Sequence, residues 1–373
     1  MDKTFINFYD LYPRRFINKT LGISHRKWFL NNNPELCAIL DKYIGNEYRN
    51  NINKMDFFVD YVSKINVRKD YEEVKEYNKV QFAIWLKENM NIEIDKSSIY
   101  DVIPANITPN KRQLLTIFYI LSIYFDIKDN KPPKNNTTFI FGGKADPTDT
   151  FSKKVIKLIN CISDKINNDE EVNKYIRVIY LPNYTPSIEK ALLPAVDIVE
   201  DTAAVNKDPG DISSIKFMMN GAVPLSTYGG LNEEIRRQVG DSCIFFFGLQ
   251  FDEIDNVLRK KYKPFDIYKS NPLLKKAIDS LINGTWSDNK NDFKEIYDEF
   301  VFNNDSNLIL FDFEDYVAAH NKIYSSYNNK DYWTQKCLVN VCRSTYFSSD
   351  RLAKEYASDI WKIKTFKKLT DNI

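Results

Sequence analysis

YIRVIYLPNYTPSIEKALLPAVDIVE, residues 175–200, decides the fold. Residues 177–181, RVIYL, read as a short strand with β-branched and aromatic side chains, and Pro182, Asn183 and Tyr184 end it with turn chemistry. Residues 187–193 carry apolar side chains at helical spacing. Residues 196–199, VDIV, read as a second short strand. A helix between two strands is a crossover, and crossovers join parallel strands.

The same alternation extends outward. Residues 137–141 read as a strand that ends in Gly142-Gly143-Lys144, followed by an amphipathic helix over 151–166. Downstream, a helix starts at 214–220, a strand follows at 223–227, a helix at 233–239 and a strand at 242–247. The expected fold is α/β, a parallel, doubly wound, Rossmann-like sheet with flanking helices. Ligands in such sheets bind beyond the carboxyl ends of the strands, which points to the loops after Phe141, Leu181, Val199 and Thr227. The first 130 residues read as helical, with spans at 35–44, 57–67, 74–89 and a buried one at 112–124. Residues 129–136 (DNKPPKNN) read as a linker, and the chain turns helical again from 251, with a last helix at 348–361. The expected division is a helical lead-in at 1–110, a Rossmann-like domain at 111–250 and a helical part at 251–373.

Composition narrows the function. The 373 residues are 43% hydrophobic and 14% aromatic, enough for a large core. Lys+Arg number 52 and Asp+Glu 51, so no global basic field exists to hold nucleic acid or an anionic membrane. Five scattered cysteines with no CxxC pair argue against a zinc site or a disulfide framework. The two histidines, His25 and His320, exclude a multi-histidine metal site, and no metal is expected. No apolar run is long enough to span a bilayer. The expectation is a soluble, reduced, cytoplasmic protein with no nucleic-acid or membrane partner.

Several segments occur in an order that carries more information than any one of them. They are PRRFINKTLGISHRKW (13–28), KEYNKVQFA (75–83), NKRQLL (110–115), FGGKADP (141–147), VIYLPNY (178–184), IKFMMNGA (215–222) and SSDRLAKEYASDIW (348–361). Together they resemble the C-terminal half of the glycogen (α-glucan) phosphorylases. The resemblance implies one of two Rossmann-like domains that face a cleft, as in the glycosyltransferase-B arrangement, with the family's N-terminal domain absent. It implies glucosyl transfer between an α-1,4-glucan end and phosphate. It also implies pyridoxal phosphate held as a Schiff base on the lysine of the KFMLNGA-like motif, here Lys216, with Tyr184 and Ser213 beside the cofactor. Lys111 and Asp208 take the catalytic positions, Lys111 toward phosphate and Asp208 in place of a sugar-contacting glutamate.

The residues around Lys216 depart from that pattern. In DPGDISS (208–214), Asp211 replaces a family glycine, Ile212 a phosphate-binding threonine and Ser213 another glycine. Ala105 and Asn106 replace a lysine–arginine pair, and Thr185 an arginine. Leu21 replaces a sugar-contacting asparagine, and Thr148-Asp149-Thr150 a Gly-Tyr-His. A carboxylate about 4 Å from a phosphate costs about 4 kcal/mol per pair of unit charges at an effective dielectric near 20. Catalysis of phosphate-assisted transfer rests on fixed positive charge, and most of it is gone. The expectation is little or no cofactor binding and little activity for the lone chain. Two alternatives are a working half completed by a separate N-terminal chain, and an interaction protein that reuses the fold. α-Glucan and phosphate are expected to bind weakly. Leu352, Tyr356 and Ile360 form one helix stripe with Trp361 beside it, which predicts a protein partner over the cleft and this helix.

Overall fold

Six short strands form one sheet: β1 Ile99–Ile103, β2 Thr137–Gly142, β3 Ile176–Leu181, β4 Ile198–Asp201, β5 Val223–Thr227 and β6 Phe245–Phe247. The computed structural model describes residues 5–205, 207–208, 210–260 and 262–364. All pairings are parallel, and the order is β3-β2-β1-β4-β5-β6. Every residue of β1, β2, β4 and β5 is buried, as strands covered on both faces must be. The helices Thr150–Asn167, Ser213–Met219, Ile309–Asn328 and Lys330–Arg343 pack against the strands. This is the doubly wound α/β arrangement expected, and its order reverses direction between β1 and β4, where such sheets open a crevice.

Two expectations are corrected here. The first 130 residues are not all helical, because β1 lies among them and is a central strand. Its sequence, IYDVI, carries Asp101 in mid-run, so it shows neither a clean apolar run nor alternation. The sheet therefore begins on the N-terminal side of the expected division at 110 and 111. The helix expected at 57–67 is instead the 3₁₀ segment Ile52–Tyr61, and a long α-helix, Ile65–Met90, follows it. Ile52, Met55 and Phe58, three residues apart, face the core at the three-per-turn period of a 3₁₀ helix, while Phe57 is exposed.

The C-terminal segment runs back onto the lead-in. Ile23 and Ser348 form a parallel bridge. Arg26 binds Asp350 through two hydrogen bonds of 3.0 and 2.7 Å, and Arg351 donates to the Thr20 carbonyl at 2.7 Å. Lys19 pairs with Asp359 at 2.5 Å. Helix Ser349–Glu355 and the wider turn Tyr356–Ile360 so lie across residues 19–26, yet Trp361 stays 60% exposed. Among the described residues, no helix is long and apolar enough to cross a membrane.

Candidate functional site at the carboxyl ends of the strands

A cavity of about 250 Å³ opens where the loops after β1, β2, β3 and β4 converge. Ala105 and Asn106 follow β1, Gly142 closes β2, Tyr184 and Glu189 follow β3, and Asp211, Ser213 and Lys216 follow β4. Three of the four loops expected at the site are there. The loop after Thr227 does not line this cavity, since the Thr227 hydroxyl is turned to the Ala203 carbonyl at 2.8 Å. The loop after β1 takes its place, and it went unanticipated because β1 itself did.

Local chemistry sets each position. Asn183 adopts left-handed backbone (φ 51°) and turns the chain out of β3. The Thr185 hydroxyl accepts the Ile188 N–H at 3.5 Å, and Pro186 starts the helix Pro186–Leu192. Thr185, where the resemblance places an arginine, thus serves as a helix cap. One turn on, Glu189 points inward and is 4% exposed. Gly142 is a true requirement, because a Cβ there would lie 2.7 Å from the Tyr184 ring; at Gly143 it would lie 2.0 Å from the Ala105 carbonyl oxygen. Tyr184 is half-buried, its buried hydroxyl oxygen has no hydrogen-bond partner among the described residues, and desolvation holds its pKa well above the usual phenol range.

Lys216 stands on the helix Ser213–Met219 and lines the cavity. Its Nζ donates to both carboxylate oxygens of Glu189, at 2.9 and 2.8 Å, and lies 4.3 Å from the Trp28 ring centroid. Burial pushes the Glu189 carboxyl up in pKa, and the Lys216 ammonium opposes that shift. Lys111, at the end of the 3₁₀ turn Pro109–Lys111, donates to Asp208 at 3.0 Å and lies 3.5 Å from Asp211. Burial works against the Lys111 charge, but Asp211, Asp201 and Asp208 outweigh it and raise its pKa.

Neither Ser213 nor Ser214 caps the lysine helix through its side chain. Asp211, just before that helix, accepts the Ser213 N–H at 2.8 Å, while its own N–H donates to the buried Asp201 at 2.9 Å. Gly210, in left-handed backbone (φ 102°), donates its N–H to Asp208 at 3.0 Å. Pro209 lies outside the described residues. The backbone amides that would meet an anion are therefore already turned to carboxylates. Four carboxylates, Glu189, Asp201, Asp208 and Asp211, surround two ammonium groups.

The structure brings Lys216, Tyr184 and Ser213 to one cavity wall and sets Lys111 and Asp208 together beside it. Sequence reasoning missed Glu189 and Asp201. Glu189 had a signal: it falls on the stripe of Leu192 and Leu193, and a charge on a buried stripe needs a partner. A separate polar cluster, Asp101, Glu200 and His320, sits fully buried below the sheet's rim, with potential ligand atoms within 4.8 Å of one another. The Tyr316 hydroxyl donates to Glu200 at 2.5 Å, and the Tyr119 ring stacks on His320 at 4.3 Å. Burial and the neighbouring Glu200 hold the Asp101 carboxyl well above the usual carboxylate range.

Comparison with known proteins gives one family. The carbohydrate phosphorylase family model matches residues 1–363. The glycogen phosphorylase of Bacillus subtilis is 35% identical over 96% of this chain and 45% of its own length. The maltodextrin phosphorylase of Streptococcus pneumoniae is 34% identical over 95% of this chain and 48% of its own. The liver form of human glycogen phosphorylase is 34% identical over 97% of this chain and 43% of its own. The chain so spans less than half the length of these relatives.

Proposed function

The chain belongs to the carbohydrate phosphorylase family, and from that premise we propose that it is a C-terminal, cofactor-domain type of phosphorylase chain with little or no glucan phosphorylase activity by itself. The observation that carries the reading is the neutralised rim. Each lysine that the family resemblance assigns to phosphate or cofactor chemistry is held by carboxylates of this chain, Lys216 by Glu189 and Lys111 by Asp208 and Asp211. Pyridoxal phosphate does not fit such a set. Its phosphate would face Asp211 at the helix start, where the Ser213 amide is engaged, and would find Asn106 and Thr185 instead of cations. Glucan and phosphate binding are correspondingly weak in this reading. A cytoplasmic setting, where the five free cysteines stay reduced, completes it.

A second reading has its own observation. Tyr356, Ile360 and Trp361 remain exposed on the segment that crosses the lead-in, which suits a second polypeptide over this helix and the cleft. In that reading the chain is the half of a phosphorylase that a separate N-terminal chain completes.

The test is chemical. The purified chain is incubated with pyridoxal phosphate, reduced with borohydride and digested, and the Lys216 peptide is weighed. The expected result is an unmodified peptide and no glucose 1-phosphate from glycogen and phosphate. Stoichiometric pyridoxyl-Lys216, or turnover that Lys216→Ala abolishes, would overturn the proposal.

A further inference from the structure

We propose that Glu189 is a built-in counter-ion that keeps Lys216 as a structural ammonium and denies its nitrogen to any carbonyl compound. The inference deepens the reading above and rests on it only in taking Lys216 as the lysine at the family's cofactor position. It names one residue, on the helix Pro186–Leu192 and not on the segment of Asp211, as the determinant.

An amine condenses with a carbonyl only as neutral –NH₂, with its lone pair free. A new N–C bond forms, the carbonyl oxygen departs as water, and two protons leave the nitrogen. The Lys216 nitrogen is arranged for the opposite state. Two carboxylate oxygens at 2.8 and 2.9 Å take two of its protons in hydrogen bonds, and the Trp28 face at 4.3 Å favours a cation. The two side chains are 15% and 5% exposed, so water does little to compete. Neutralising the lysine would leave a buried carboxylate without its cation, which is the costly half of a broken ion pair.

The pair also has a mechanical place. Lys216 joins its own helix to Pro186–Leu192 through Glu189, and to the turn Arg26–Leu30 through Trp28. Asn220, one turn further along, reinforces that junction by donating to the Trp28 carbonyl at 2.8 Å and to the Lys216 carbonyl at 2.9 Å. The lysine is thus one of the bonds that hold the lead-in segment on the sheet domain.

The test uses pyridoxal without its phosphate, so that repulsion from Asp208 and Asp211 plays no part. The full chain and its Glu189→Gln variant are each incubated with pyridoxal and reduced with borohydride, and modification is counted at Lys216. The inference expects about tenfold more modification in Glu189→Gln, the factor that corresponds to losing the charged hydrogen bonds that hold the nitrogen. Equal modification of the two proteins would overturn it. Pyridoxal phosphate run in parallel addresses the previous proposal alone: uptake by the unaltered chain would sink that one. Should Glu189→Gln not fold, the unaltered chain still decides. Lys216 protected in the native protein and labelled in urea supports the inference, and Lys216 labelled as fast as exposed lysines in the native protein overturns it. A double-mutant cycle between Glu189→Gln and Lys216→Met gives a second readout, where melting-temperature losses that simply add would contradict the pairing.

Discussion

At the amino ends of the strands, the half-buried Lys75 and the buried Lys79 meet backbone carbonyls. Lys75 donates to Pro194 and Val196 at 3.1 and 2.8 Å; Lys79 donates to Ser98 at 2.8 Å and pairs with Asp197 at 2.5 Å. At the carboxyl ends, Lys111 and Lys216 meet four carboxylates between them. The amino-end lysines organise the chain where it enters β1 and β4, and Asp197 also accepts the Tyr100 N–H at 2.9 Å. That is a scaffold's use of lysine, and it is intact. The rim lysines are used the same way, as ties between segments, although their position on the fold is that of a site. The difference between the two ends lies in the carboxylates, so substitutions that separate tie from site test it.

The largest effect is expected at the scaffold end. Lys79→Met leaves Asp197 buried without its cation, and unfolding by urea should register a loss of about 3–5 kcal/mol. A loss under half of that would mean that the two ends do not differ as described.

Asp305 supplies the contrast of a buried carboxyl that, among the described residues, is held by hydrogen bonds and by no direct lysine ion pair. It accepts the Ile309 and Leu310 N–H groups at 3.0 and 2.8 Å and the Tyr262 hydroxyl at 2.8 Å. Burial nonetheless pushes it up to about 7. Its folded pKa lies above the unfolded one, so its contribution is complete below pH about 4 and is lost as pH rises to about 7. The change amounts to at most about 4 kcal/mol, three pKa units at about 1.4 kcal/mol each. Stability of Asp305→Asn measured across that window should fall less steeply than that of the unaltered chain. Parallel curves would show that Asp305 stays ionised throughout.

Lys216→Met should cost less, about 2–3 kcal/mol, because the Lys216 side chain is 15% exposed against 7% for Lys79, so less burial is at stake when the charged hydrogen bonds are lost. Full activity lost with no change in stability would identify Lys216 as a site residue and break the comparison. The smallest effect concerns the phosphate side. Asp211→Gly with Thr185→Arg removes one carboxylate from the helix start and adds one cation; Asp211 is partly exposed, so water screens the change below the close-pair figure, and pyridoxal phosphate uptake followed by absorbance should rise about tenfold. No gain would mean that Glu189 alone controls the pocket.

Much of the fold was legible in the sequence because its signals are local. Strand β3, its Asn183 turn and the following helix are written in consecutive residues. So is the helix Thr150–Asn167, whose Asp149 cap accepts the Ser152 N–H at 2.9 Å. β1 was not legible, since Asp101 is tolerated in its middle only by virtue of a polar cluster built from β4 and a helix more than two hundred positions away. The 3₁₀ segment Ile52–Tyr61 was misread because a three-residue apolar spacing also fits an α-helix over a short stretch. At the site, the residue types were legible and their partners were not. Thr185 read as a lost arginine, and its use as a cap emerged only with the helix it starts.

The sequence by itself determined the class of fold, the family motifs and their order, and the identity of every charge at the rim. These depend on neighbours along the chain, where periodicity and turn chemistry act. Only the tertiary structure decided which carboxylate meets which lysine. Lys216 and Glu189 are 27 positions apart, and Lys111 and Asp208 are 97 apart. Coulomb energy falls with distance in space and grows as water is excluded, and neither quantity exists until β3, β2, β1 and β4 are assembled into one sheet.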